Sequence, residues 1–127
     1  EVLIFGHSAD LYALAWNPQR PSEFATAAES DRVYLWNADR RQMLRTASLG
    51  GIPARSVAFS GDGEHMGVGM KNGGVNILNA VTLQFLKWIK TFNSAVDDLK
   101  FSPNGRLLAA ASHDQFIDIY DRKNEYK

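Results

Sequence analysis

The sequence predicts an all-β chain of three four-stranded antiparallel blades, stacked radially as part of a propeller. Three observations predict it. The first is a repeat: Asn37, Asn79 and Asp121 lie 42 residues apart, each after a large apolar residue, Trp36, Leu78 and Tyr120. Leu35, Ile77 and Ile119 precede those, and Val33, Val75 and Ile117 stand two places earlier in the same register. A period of roughly 40–45 residues is the length of one four-stranded blade. The second is turn chemistry between short alternating runs, where Gly supplies positive φ and Pro fixes φ. The third is that no long segment carries the 3.6-residue apolar period of a helix.

Each unit opens with a strand: Leu11 to Trp16, Arg55 to Phe59, and Val96 to Phe101. Turns follow at Asn17-Pro18, Ser60-Gly61-Asp62-Gly63 and Ser102-Pro103-Asn104-Gly105. The second strands, Glu23 to Ala28, His65 to Met70 and Leu107 to Ser112, are rich in Ala and Gly, which lets sheets approach closely. Ser30, Asn72 and Asp114 are equivalent turn positions before the third strands, Arg32 to Trp36, Gly74 to Leu78 and Phe116 to Tyr120. In the first unit the third strand is apolar on both faces, as a strand sandwiched between sheets must be. Fourth strands are expected over Gln42 to Leu49 and Thr82 to Lys90, and β-branched and aromatic content favours strand over helix in the latter. Val2 to Phe5 read as the fourth strand of a preceding unit. The repeats are then approximately 1–37, 38–79 and 80–121, with 122–127 a tail.

Composition bounds the function. The 127 residues carry 14 basic and 14 acidic side chains, for zero net charge. That balance gives no broad attraction to nucleic acid or anionic membrane. Arg40, Arg41 and Arg45 are the one basic cluster, and a solvated strand face and turn explain it. Cysteine is absent, so there is no disulfide frame, thiolate nucleophile or Cys-based zinc site. No run approaches the length of an apolar membrane span, and Glu1 to Phe5 lack the basic lead and long apolar stretch of a signal peptide. The missing initiator Met suggests a chain cut from something longer.

Several residue groups have the types of a chemical site without its spacing. Ser112-His113-Asp114 has the residue types of a triad, but strand neighbours point to opposite faces, and Asp114 falls on the repeat's turn position. His7, His65 and His113 lie in different strand contexts, which argues against a shared metal. Gly67, Gly69, Gly73 and Gly74 match neither phosphate-loop spacing, and no helix follows them. Asp97 and Asp98 face opposite ways on a strand, so joint acid–base work is not expected. Tyr34, Phe85, Trp88 and Phe116, with Lys87 and Lys90 nearby, have the types that hold single-stranded nucleic acid. Their register favours core instead, and Met43, Met66 and Met70 read as core and inter-blade packing. No catalytic, cofactor-binding or metal residue is expected, and hence no enzyme.

The motifs resemble a known family. Gly6-His7, Leu14-Ala15-Trp16-Asn17-Pro18, Phe24-Ala25-Thr26-Ala27-Ala28 and Val33-Tyr34-Leu35-Trp36-Asn37 resemble a WD40 repeat, which opens with Gly-His and closes with Trp-Asp. His7 to Ala15, Ala54 to Ser60 with Gly69 to Gly74, and Asp98 to Pro103 with Ser112 to Asp114 and Ile117 to Asp121 are similar to strands of the echinoderm microtubule-associated protein-like (EMAP-like) family. Departures exist: only unit one has Gly-His, Ser30 stands where Asp is preferred, and Leu78 and Tyr120 replace Trp. The WD40 hydrogen-bonded set is complete in no unit. The resemblance implies structural roles for His7, Thr26 and Trp36, with Asp31 a poor substitute one place late, and for Asp114 in unit three.

The resemblance also implies a non-catalytic scaffold, without cofactor, whose partners are proteins, tubulin or the microtubule first among them. It places the chain in the cytoplasm on the cytoskeleton, with a cilium or axoneme as one setting. The alternative is a WD40 interaction platform in a complex without tubulin contact. Asp10, Asp31, Arg32, Arg55 and Lys71 are the partner-binding candidates, because turns surround them. Propellers have about four to eight blades, so three units leave two apolar faces open. Those faces are expected to meet the remaining blades of a longer chain, or a second copy that exchanges Val2 to Phe5 into unit three.

Overall fold

The computed structural model describes residues 11–28, 30–90 and 93–127. The strands are β1 (Leu11–Trp16), β2 (Glu23–Ala28), β3 (Arg32–Asn37), β4 (Gln42–Ser48), β5 (Ala54–Phe59), β6 (His65–Met70), β7 (Gly74–Asn79), β8 (Phe85–Lys90), β9 (Val96–Phe101), β10 (Leu107–Ser112) and β11 (Ile117–Asp121). They form antiparallel sheets in the orders β1-β2-β3-β4, β5-β6-β7-β8 and β9-β10-β11. Blades one and two thus have four strands, while blade three has three among the described residues. Val2 to Phe5, expected to exchange into it, lie outside those residues.

The blades converge on their first strands, since β1 packs on β5 and β5 on β9. The fourth strands β4 and β8 form the circumference. Two apolar layers fill the gaps. Val33 and Leu35 of blade one meet Val57, Met66, Val68 and Leu78 of blade two. Val75 and Ile77 of blade two meet Val96, Leu99 and Leu108 of blade three. Strand β7 is therefore buried on both faces from Gly74 to Leu78, which explains why its sequence does not alternate.

The repeat is also a repeat of hydrogen bonds. The residue that closes each third strand uses its side chain to hold the next turn. Asn37 Oδ1 accepts from the Arg40 N–H at 2.8 Å, Asn79 Oδ1 from Val81 and Thr82 at 2.9 Å, and Asp121 Oδ1 from Lys123 at 2.9 Å. Only a short side chain with an acceptor oxygen makes this turn, so Asn and Asp recur at 42-residue spacing. The turn also corrects one boundary. Thr82 to Gln84 are not strand, because the Asn79 cap carries the chain to Leu83 at φ 61° before β8 begins.

Residues 122–127, expected as a tail, pack back against blade two through Arg122 and Tyr126. Arg122–Asn124 form a short 3-10 helix capped by Asp121, and Tyr126 is buried in the layer between blades two and three. Arg122 bridges to Asp62 at 2.7 Å and to Glu64 at 3.3 Å, and the Tyr126 hydroxyl lies 2.6 Å from His65 Nδ1. Burial pushes the Asp62 carboxyl up, but the Ser60 hydroxyl, the Glu64 N–H and the Arg122 guanidinium outweigh it and hold the pKa at about 2. Because this lies below the ordinary value of 3.8, Asp62 adds stability above that value and loses it as pH falls towards about 2. Asp62→Asn is expected to flatten the decline in denaturation midpoint between pH 5 and pH 2.5. An unchanged slope would show that Asp62 carries none of it.

Two expectations about packing fail. Phe85, Trp88 and Phe116 are 57%, 47% and 65% exposed, not core. Phe85 and Trp88 sit on the circumferential strand β8, where the blades splay apart, and Phe116 lies just before β11, the last described strand of blade three. Met43 is likewise exposed on β4, whereas Met66 and Met70 are buried.

Candidate binding face

Each first strand carries a bulge at the same place. The β1–β2 register skips Tyr12, the β5–β6 register skips Arg55, and the β9–β10 register skips Asp97. A bulge re-aims the extra side chain and often marks a site. Here it places three chemically different groups, a phenol, a guanidinium and a carboxylate, on consecutive blades at one end of the converging strands. The Arg55 guanidinium lies 4.5 Å over the Tyr12 ring, a cation–π distance. The Asp97 carboxylate pairs with His113 Nδ1 at 3.0 Å.

The same end carries the other partner-binding candidates that are described. Asp31 Oδ2 lies 3.5 Å from the Ser48 hydroxyl and accepts from the Gly51 N–H at 3.2 Å, tying the loop between blades one and two to the β2–β3 turn. Asp31 is thus a loop anchor. Arg32 reaches Thr46 Oγ1 at 3.5 Å, and the Lys71 N–H donates to the Pro53 carbonyl at 2.8 Å. Asp10 and His7 lie outside the described residues. Tyr12, Asp97 and His113 were not among the binding candidates of the sequence, although the bulge positions of Tyr12 and Asp97 recur with Arg55 at the repeat spacing.

Of the structural set, Trp36 Nε1 donates to Thr26 Oγ1 at 2.8 Å, and both residues are buried. Asp31 is not part of this pair. Asp114 donates its N–H to Ser112 Oγ at 3.3 Å, but its Oδ1 is buried without a hydrogen-bond partner, as is Ser30 Oγ at the equivalent turn. Trp36→Phe keeps the ring and removes the donor. It is expected to cost about 1–2 kcal/mol, read from the denaturation midpoint. The double variant with Thr26→Val should cost less than the sum of the two singles.

Among the described residues nothing on this face forms a relay. The Ser112 hydroxyl lies 3.5 Å from the Ser94 carbonyl, His113 faces Asp97, and Asp114 faces neither. Among the described residues no group of three or more His, Cys, Asp or Glu side chains is placed to hold a metal. No described helix is long and apolar enough to cross a membrane. At the opposite end an open cleft of about 670 Å³ lies between the turns of blades one and two, lined by Gln19, Asp62, Glu64, Asn79 and Thr82. Its polar turn residues are largely engaged in the hydrogen bonds that shape the turns.

The chain matches the family model "Echinoderm microtubule-associated protein second beta-propeller" over residues 11–127. It is 32% identical over 119 residues to Echinoderm microtubule-associated protein-like 2 of Homo sapiens, covering 94% of this chain and 18% of that protein. It is 34% identical over 119 residues to WD repeat-containing protein SL1-17 of Schistosoma mansoni, covering 91% and 38% respectively. In fold it is similar to the RRP9 WD40 repeats, with a TM-score of 0.89 at 20% identity, covering 97% of this chain and 38% of that one. The chain therefore spans well under half the length of these relatives.

Proposed function

The chain belongs to the echinoderm microtubule-associated protein family of WD40 propellers, and from that premise we propose that it is a non-catalytic, microtubule-associated scaffold segment. Tubulin is its partner, and its setting is the cytoskeleton of the cytoplasm or the axoneme of a cilium. The observation that carries the reading is the family match across 11–127. The face that would meet the partner is the bulged end, where Tyr12, Arg55, Asp97 and His113 offer mixed charge and aromatic surface to a protein. Such a surface suits protein recognition, in which Tyr and Arg dominate contact energy. Its described residues form no basic groove of the kind that tracks nucleic-acid phosphates.

The test is co-sedimentation of the propeller that carries this chain with polymerised tubulin. Pelleting at low salt that weakens with Arg55→Glu supports the reading. No pelleting at low salt defeats it, and leaves a WD40 platform for another protein complex as the function.

A further inference from the structure

The strands at the circumference differ from the rest of the chain in charge. Residues 40–48 and 85–90 contain Arg40, Arg41, Arg45, Lys87 and Lys90 and no acidic residue, in a chain whose net charge is zero. Between β4 and β8 lies a cleft of about 400 Å³, lined by Ala47, Leu49, Asn76, Leu78, Leu83 and Phe85. The register extends its walls. Arg45 pairs with Leu35 and so shares the face of Ala47, which points towards blade two. Trp88 pairs with Asn76 and Lys90 with Gly74, on the face of Leu78, which points towards blade one. The Trp88 indole lies against Gly74, where an added Cβ would come within 2.7 Å of Nε1.

Edge lysines alone are what a solvated outer strand carries to avoid unwanted pairing. Exposed Phe85 and Trp88 beside them are the opposite device. Blade two has both neighbours in place, so blades added at either end of the array would not cover this cleft. Among the described residues strand β8 also has an unpaired edge, being the last of its sheet.

We propose that the β4–β8 cleft binds an extended acidic peptide carrying one aromatic or large aliphatic anchor. The anchor fills the apolar cleft against Phe85 and Leu78. The peptide backbone pairs with the free edge of β8, and its carboxylates meet Arg45 and Lys90. Strand addition supplies main-chain hydrogen bonds, while the cleft and the two cations select the sequence. This site is separate from the bulged face, so it does not rest on the microtubule reading.

The test uses a fluorescent twelve-residue Glu/Thr peptide with one central Phe, a Gln/Thr version of it, and a single-stranded oligonucleotide of similar charge, each titrated into the 127-residue chain. The acidic peptide is expected to bind at least tenfold more tightly than the neutral one and to weaken with salt. Arg45→Glu/Lys90→Glu should reduce its affinity at least tenfold, and Phe85→Ser should do so without changing the salt slope. Hydrogen exchange should show protection at 44–50 and 83–90. Equal binding of acidic and neutral peptides, tighter binding of the oligonucleotide, or protection confined to other segments overturns the proposal. A circular-dichroism melt of each variant identifies any that fails to fold. Should one do so, the exchange map on the unaltered chain still decides.

Discussion

Gly69→Ala is expected to cost about 3 kcal/mol, while Gly67→Ala, two residues away on the same face of β6, costs about 1 kcal/mol or less. The two glycines differ in what stands in front of them. A Cβ on Gly69 would lie 2.1 Å from Ser56 Oγ and 2.8 Å from Val96 Cγ1. Those groups cannot simply move aside, because the Ser56 hydroxyl donates to the Val96 carbonyl at 2.8 Å and ties blade two to blade three. The added methyl must break that bond or part the blades. A Cβ on Gly67 would meet Leu99 Cδ1 at 3.5 Å and Leu108 Cδ2 at 3.7 Å, ordinary contact distances. Denaturant midpoints of the two variants check this directly. Equal midpoints would mean that blade spacing is softer than close packing allows.

Tyr126→Ala is the second large effect, at about 3 kcal/mol. Its ring is 6% exposed and fills the layer between blades two and three, and its hydroxyl engages His65. Burial raises the Tyr126 pKa to about 12, so the phenol stays protonated. Burial, with the Arg122 charge beside it, holds the His65 pKa below its ordinary value of 6.5, against the pull of Asp62 and Glu64. A neutral imidazole with a bare Nδ1 accepts the hydrogen bond that the phenol donates. Protonating His65 is thus less favourable in the folded chain, and its contribution to stability falls as pH drops below 6.5. Stability measured from pH 7.5 to 5 should decline in the unaltered chain and decline less in His65→Ala. A double-mutant cycle between His65→Ala and Tyr126→Ala should show coupling of about 1 kcal/mol. Additive effects would assign the loss to packing alone.

The bulged face shows why a binding site is harder to read than a blade. Arg55 is visible as a turn-flanking residue, yet Tyr12 and Asp97 read as ordinary alternating strand positions. Only the paired strand reveals that the register skips them, because a bulge is a relation between two strands and not a property of one. His113 joins the face for the same reason. Its partner Asp97 is 16 residues away in the chain and adjacent only through β9–β10 pairing.

The 42-residue period by itself determined the blades and their turns, because each recurring residue acts locally, while the motifs inside the repeats carried the resemblance to the family. Asn37, Asn79 and Asp121 hold turns made of their own neighbours. What lies between blades was decided by the tertiary structure. The same register that buries Ile77 leaves Phe85 and Trp88 in solvent, because blades converge at their first strands and splay at their fourth. The sequence repeats in one dimension, whereas burial depends on distance from the axis. For that reason the aromatics of β8, read from the register as core, became the wall of an open cleft, and Tyr126 in the segment 122–127 became a buried contact between blades two and three.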